Sequence, residues 1–327
     1  MSDTPQARDD DSGSVPDWDR PVRYIEKTHA WYDALGTGNR YRYAHCLDVP
    51  FQPPARPLSG SRVALMTTAA RFDPDKGAQR AGAPYNAAAK FYEVYSGDTS
   101  IDHDLCVSHV AIDRAHLTDD SGTWFPLPAL RRAAARGRIG ALAPRFHGVP
   151  TNRSQRHTVS VDCPEVLARC RADGADVAVL VANCPVCHQT MALLARHLEA
   201  HGIPSVVMGA AKDIVELCGV PRFVFSDFPL GHAAGRPWDV ASQDSTLELA
   251  LRLLESAPAP RTTVQNPLRW GGDARWKLDY LDASKLGEQE LAQLRAENAR
   301  VKAVSQAVRD ATLAGAAPRP GAGFDPG

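Results

Sequence analysis

Cys184 and Cys187, separated only by Pro185 and Val186 and followed at once by His188, are the residues of this sequence best spaced to do chemistry. A Cys-x-x-Cys pair can cycle between dithiol and disulfide, or use one sulfur to attack and the other to resolve the product. The stretch before it, residues 177–182, is apolar and β-branched enough for a strand buried on both faces. The stretch after it is helical in period: Cys187, Met191, Leu194 and Leu198 fall at i, i+4, i+7 and i+11. With Cys184 as N-cap, Pro185 takes the first helical position, where its missing N–H costs nothing and its fixed φ suits the turn. This spacing puts Cys184 at the exposed tip of a strand-to-helix turn and Cys187 on the face that packs against the sheet. Amides and dipole at the helix end favour a thiolate, so Cys184 is expected to attack with a depressed pKa and Cys187 to resolve.

Other polar residues are candidates around that pair. His188 suits a proton donor or a cation beside a thiolate, and equally a cap of the first helical turn. His109, Asp113 and His116 follow a strand candidate and read either as substrate-binding groups or as a loop hydrogen-bonded to itself. Asp227, His232 and Arg236 lie in a Gly/Pro-rich loop, where Arg236 could bind a carboxylate bidentately or hold a turn. Arg145, with His147, is a further substrate-binding candidate or a loop anchor. A different use of the thiols is a zinc site made from Cys184, Cys187 and His109, thiolates and imidazoles being usual ligands of that ion. His188 suits such a site poorly, because neighbouring helical residues point about 100° apart. A third reading is a non-catalytic subunit that docks on a partner through residues 270–280 and the C-terminal helix. No G-x-G-x-x-G follows a strand and no Walker lysine motif occurs, so nucleotide binding has little support.

The elements that must position these residues alternate. Strand patterns at residues 62–68, 104–112, 139–143, 177–182, 204–208 and 222–225 are separated by helical patterns at 127–136, 163–172, 211–218 and 244–256 and by the one that opens at Pro185 and carries the stripe to Leu198. Such alternation implies parallel βαβ units with ligands beyond the carboxyl ends of the strands. The expected fold is α/β, with two Rossmann-like parallel-sheet halves and a helical C-terminal extension. The divisions are a disordered tail at 1–20, an N-terminal half at 21–160, a half carrying the Cys-x-x-Cys at 161–260, and an extension at 261–327. That extension holds an extended Trp-containing segment, a charged helix over 288–311 and a Gly/Pro-rich tail, and is expected to pack on the surface or a partner rather than carry chemistry.

Composition narrows the class. The chain has 327 residues with 37 basic against 38 acidic side chains, so no broad charge favours nucleic acid or an anionic membrane. The first residues lack the basic end and apolar stretch of a secretory signal, and no apolar run could span a bilayer. A cytoplasmic protein is expected. Seven cysteines make an odd number for a disulfide framework, and in a reducing compartment Cys46, Cys106, Cys163, Cys170 and Cys218 read as small buried hydrophobes.

The block NCPVCHQTMALLARHLEAHGIPSVVMGAAKDIVELCGVPRFVFSDFPLGHAAGRPWD and the upstream SHVAIDRAHLTDDSGTWFPLPALRRAAARGRIGALAPRFHGVPT resemble the selenoprotein B family of glycine, sarcosine, betaine and D-proline reductases. The likeness covers roughly residues 60–270. The PVCHQ form looks nearer to the proline reductase branch and puts Cys184 where that family carries a redox-active selenocysteine or cysteine. The resemblance implies reductive cleavage of a C–N or related bond in a small amine or amino-acid-like substrate. It implies electrons from a thioredoxin-like or other dithiol donor, and a partner reductase subunit that carries a pyruvoyl group, or else a homo-oligomer. No cofactor is expected within the chain itself.

Overall fold

The computed structural model describes residues 19–36, 40–107, 112, 116–272 and 274–314. His109 and Asp113 lie outside the described residues. The strands are β1 (Arg62–Thr67), β2 (Ala70–Arg71), β3 (Tyr95–Asp98), β4 (Leu105–Cys106), β5 (Ala141–Leu142), β6 (Arg145–Gly148), β7 (Val177–Val181), β8 (Ser205–Gly209), β9 (Arg222–Phe225) and β10 (Thr262–Gln265). The α-helices are α1 (Tyr24–Ala34), α2 (Leu127–Ala135), α3 (Gln155–His157), α4 (Cys163–Ala172), α5 (Pro185–Ala200), α6 (Lys212–Cys218), α7 (Val240–Ser256), α8 (Trp276–Asp279) and α9 (Glu288–Leu313).

Eight strands form one mixed sheet in the order β10-β9-β8-β7-β1-β6-β3, with β5 also paired to β1. All neighbours are parallel except β3, which runs antiparallel to β6. Strands β7, β8 and β9 are buried at every position, β7 as an unbroken apolar run and β8 and β9 as apolar runs that open on Ser205 and Arg222. Helices α5 and α7 both pack on β8; α5 also meets α4, α6 and α1, whereas α7 meets α2, so the sheet is covered by two separate helical layers.

The division into two halves differs from this arrangement. Strand β1, from before residue 160, pairs along its length with β7, from after it, in register Val63↔Val177 to Thr67↔Val181. Read along the chain, the parallel strands β6-β1-β7-β8-β9 follow the doubly wound order 2-1-3-4-5, continued by β10. The chain leaves β1 toward β6 and returns across it to β7, so the topological switch point lies between β1 and β7. Ligands in such sheets bind beyond the carboxyl ends at that crevice, which is where Cys184 follows β7.

Local pattern misses some elements for identifiable reasons. Strands β3 (Tyr-Ser-Gly-Asp) and β6 (Arg-Phe-His-Gly) carry polar residues that sequence periodicity reads as loop, yet they are buried through side-chain pairing. The Tyr95 hydroxyl donates to the Ala69 carbonyl at 2.6 Å. Its ring fills the space a side chain at Gly148 would need, since a Cβ there would lie 1.9 Å from the ring. Of the strand expected at 104–112, Leu105–Cys106 is a strand, in a separate two-stranded sheet with β2. In the C-terminal extension, Thr262–Gln265 extends the main sheet beside β9. No helix among the described residues is long and apolar enough to cross a membrane.

Candidate active site

The turn from β7 into α5 forms as the spacing requires. Cys184 is the N-cap, in extended conformation, with Pro185 opening the helix. Its Sγ accepts the Cys187 N–H at 3.2 Å, taking the part that a hydroxyl or carboxylate oxygen usually plays at this position. Asn183 Nδ2 donates to Thr68 Oγ1 at 3.4 Å and ties the turn to the end of β1 across the switch point.

The exposed tip expected for Cys184 is not what the fold builds. Cys184 is 3% exposed and Cys187 is fully buried, both as free thiols. The segment over residues 41–44 crosses the first turns of α5, held by the Ala44 N–H donating to Gln189 Oε1 at 2.6 Å and by Gln189 Nε2 donating to the Tyr41 hydroxyl. Burial pushes the Cys184 thiol well up from its ordinary range, and a hydrogen bond with the neighbouring Cys187 thiol adds to the rise. The Cys187 N–H and Lys90 pull it down by less. The depressed pKa expected from the helix end is therefore reversed, because removing a charge from water outweighs one favourable amide. The resting site holds a thiol.

His188 is also fully buried. Its Nε2 lies 2.9 Å from the Ala210 N–H and 3.0 Å from the Ala211 N–H, so it must accept; Nδ1 then carries the proton and donates to the Cys184 carbonyl at 2.7 Å. Burial lowers its pKa to about 4. The ring is thus neutral near neutral pH, with both nitrogens committed to backbone. The proton-donor reading gives way to a positioning one: His188 clamps the Cys184 backbone to the turn after β8. Gly209 makes room for it, since a Cβ there would approach His188 Cδ2 to 2.6 Å.

Cys184 forms part of the wall of an open cavity of about 520 Å³. Lys90 and Tyr92, the loop after β6 with Arg153, and one face of α9 with Lys302 and Arg309 complete the wall. The extension expected to stay clear of chemistry therefore contributes to the site through α9, which the Tyr92 hydroxyl anchors by donating to the Ser305 carbonyl at 2.8 Å. Lys90 is half-buried, and its enclosure, with Arg153 nearby, lowers its pKa to about 8. The Arg153 guanidinium stands over the rings of Tyr32 and Tyr41 at 5.1 and 5.3 Å.

The other candidates that the structure describes do not line this cavity. Arg145 forms a bidentate pair with Asp173, at 2.9 and 2.7 Å, and His147 Nε2 lies 3.4 Å from the same carboxylate. Asp227 is paired with Lys277, whose ammonium also donates to the Arg20 carbonyl at 2.9 Å. Arg236 lies 3.3 Å from Asp239, three residues on. His116 meets Trp270 and Trp276 edge to face. Among the described residues no group of three metal-ligating side chains forms, and both nitrogens of His188 are committed to backbone; His109, the third ligand of the zinc reading, lies outside the described residues. Sequence reasoning missed Lys90, Arg153, Lys302 and Arg309. A signal existed for Arg153 alone: recognition of β6 as a strand would have marked the loop beyond its carboxyl end as a ligand position.

Comparison with known proteins finds relatives of one kind. The chain is 29% identical to D-proline reductase subunit gamma of Acetoanaerobium sticklandii over 230 residues, which span 68% of this chain and 92% of that protein. It is 24% identical to the glycine reductase complex component B subunit gamma of Carboxydothermus hydrogenoformans over 66% of this chain. It is likewise 24% identical to the sarcosine reductase complex component B subunit beta of Peptoclostridium acidaminophilum over 64% of this chain. The chain spans about half the length of these last two, 48% of each. No family model and no solved structure matches. The motif around Cys184 and these relatives together support assignment of the chain, as a cysteine-containing homologue of D-proline, glycine and sarcosine reductase subunits, to the selenoprotein B family.

Proposed function

We propose that this chain is a reductase subunit in which Cys184 attacks a small amine or amino-acid-like substrate and Cys187 resolves the product. The observation that carries the reading is the position of Cys184: N-cap of α5, beyond β7 at the switch point, and among the residues that line the cavity. The names of the relatives, subunits of D-proline, glycine and sarcosine reductases, support the reaction class.

In the proposed sequence the Cys184 thiol loses its proton and the thiolate attacks carbon, forming C–S as C–N breaks; the amine leaves with a proton. The Cys187 thiolate then attacks the Cys184 sulfur, forming the disulfide, and the released carbon takes up a proton. Substrate gains two electrons and two protons, and the two thiols lose them. A dithiol donor restores the pair by thiol–disulfide exchange. Because burial holds Cys184 protonated at rest, attack quickens when substrate or a partner subunit draws the proton away, and stray electrophiles react only slowly with the resting thiol.

Mild oxidation followed by peptide mapping tests the pair, with metal analysis alongside. Cys184 joined to Cys187, reversibly by dithiothreitol and without bound zinc, is the expected result. Cys184→Ser should end thiol chemistry while keeping the cap, since Ser is a preferred N-cap residue. Cys187→Ser should trap an adduct or sulfenate on Cys184. Adducts forming equally well without Cys184, or a link from Cys184 to Cys218 instead, would overturn the assignment.

A further inference from the structure

Cys46 departs from the buried reading given to the cysteines outside the Cys-x-x-Cys. Of the seven free thiols it alone is half-exposed. It lies on the segment over residues 41–52, which is tied down at both ends of α5. Ala44 bonds to Gln189 near the Cys184 turn, and Gln52 bonds to Glu199 and Arg222 at the other end. Between those ties the segment crosses the end of α6, whose last residue is Cys218.

Two guanidinium groups fix the crossing. Arg261 donates to the Cys46 carbonyl at 2.5 Å, to the Leu47 carbonyl at 3.2 Å and to the Glu216 carbonyl of α6 at 3.4 Å. Its φ of +64° is a left-handed conformation that a non-glycine residue keeps only where its surroundings hold it. Arg196 donates to the Asp48 carbonyl at 2.6 Å and to the Gly219 carbonyl at 2.9 Å. The approach is close: a Cβ at Gly219 would lie 3.0 Å from the Cys46 carbonyl oxygen. The backbones at 46 and 219 are thus in contact, with Cys218 as the adjoining residue. Burial pushes the Cys218 thiol up to about 12 and the neighbouring Cys46 adds to the rise, while Arg196 and the Ala44 N–H pull it down. An accessible thiol beside an enclosed one is the arrangement in which a sulfenic acid is captured as a disulfide.

We propose that Cys46 and Cys218 form a second redox site, a dithiol oxidised by hydroperoxides, whose disulfide bolts the 41–52 segment to α6 and so fixes the cover over the Cys184 turn. Cys46 sulfur attacks the hydroperoxide; the O–O bond breaks, Cys46 becomes a sulfenic acid, and water or an alcohol leaves. The Cys218 thiol then attacks that sulfur, forming S–S as S–O breaks, and a second water carries off the Cys218 proton. The two thiols lose two electrons and two protons, and the peroxide gains them. A dithiol reverses the bond by exchange. This site stands apart from the reaction proposed for Cys184, and its test runs without Cys184 and Cys187.

The full chain carrying Cys184→Ser and Cys187→Ser is treated with hydrogen peroxide and mapped without reduction. A peptide linking Cys46 to Cys218 is expected, lost on adding dithiothreitol; the same link should form in the unaltered chain. Hydrogen exchange reads the bolt. Amides over residues 43–47 should exchange about tenfold more slowly after oxidation, because the cross-link removes openings in which the segment lifts from α6. Adding Cys46→Ser, at a half-exposed position where the fold tolerates it, should abolish both the link and the slowing. Cys46 left as a free thiol, overoxidised without a link, or joined to a second chain overturns the site. A link that leaves exchange unchanged overturns the bolt.

Discussion

At the C-terminal end of α5, Glu199 is fully buried and every oxygen of its carboxylate is engaged. Oε1 accepts from Arg222 at 2.7 Å and the Ser205 N–H at 2.6 Å, while Oε2 accepts from the Gln52 N–H at 2.5 Å. Arg222 in turn donates to the Gln52 carbonyl at 2.7 Å and lies over the Phe51 ring. At the N-terminal end of the same helix, Cys184 and His188 are as deeply buried, but the cations nearby face an open cavity with no carboxylate in its wall. One end joins the 50–53 segment, α5, β8 and β9 in a knot through a buried ion pair; the other borders an open cavity whose wall includes Lys90, Arg153, Lys302 and Arg309. A carboxylate whose two oxygens are both taken by buried donors has no capacity left for a ligand, whereas basic groups in the wall of a concavity border open space.

The contrast is broken most severely at the knot. Glu199→Ala leaves the Arg222 guanidinium buried without its counter-charge and is expected to cost about 3–5 kcal/mol in urea unfolding, with Glu199→Gln costing less. Cys184 in the protein that remains folded should keep its alkylation rate. A cost under about 1 kcal/mol would mean that the knot is no more structural than a surface pair.

His188→Ala comes next, at about 2–4 kcal/mol, because it orphans two N–H groups and a carbonyl in the interior. It also carries a pH signature. The folded pKa of His188 is depressed to about 4, so between roughly pH 6.5 and 4 the unfolded chain binds the proton and the folded one does not. Stability from this residue is full above that window and lost as pH falls through it, by up to about 3 kcal/mol. Asp162 and Asp213, raised to about 7 and about 6, titrate with the opposite sign, so the diagnostic is the difference in slope between the native chain and His188→Ala. Equal slopes would remove the backbone clamp from the account.

Gly209→Ala attacks the same clamp without touching it chemically. The new methyl would meet the imidazole at 2.6 Å and should cost about 1–3 kcal/mol, with a change in Cys184 alkylation that a remote substitution lacks. Lys90→Met is the mildest, leaving stability within about 0.5–1 kcal/mol. Lys90 draws the Cys184 thiol down, so its removal should lower the thiolate fraction and slow alkylation a few-fold at fixed pH. In the native chain the rate should still be climbing at about pH 9, because burial holds the thiol above its usual range. A plateau near neutrality would restore the helix-end thiolate.

The sequence by itself determined the strand-to-helix turn, the Cys184 cap followed by Pro185, the stripe that buries Cys187, and the alternation of strands and helices. All of these are set by residues within a few positions of one another, through strand alternation, helical period and capping. Only the tertiary structure decided that one sheet runs through both expected halves, that Cys184 is covered and protonated, and that His188 holds backbone instead of carrying a proton. It also decided that Arg145 and Asp227 turn toward partners in the fold, and that Lys90, Arg153 and α9 meet at the thiol. Burial and charge pairing depend on which distant segments close over a side chain. Residues 41–44, 90, 153 and 302–309 are too far from Cys184 along the chain for any local pattern to announce them.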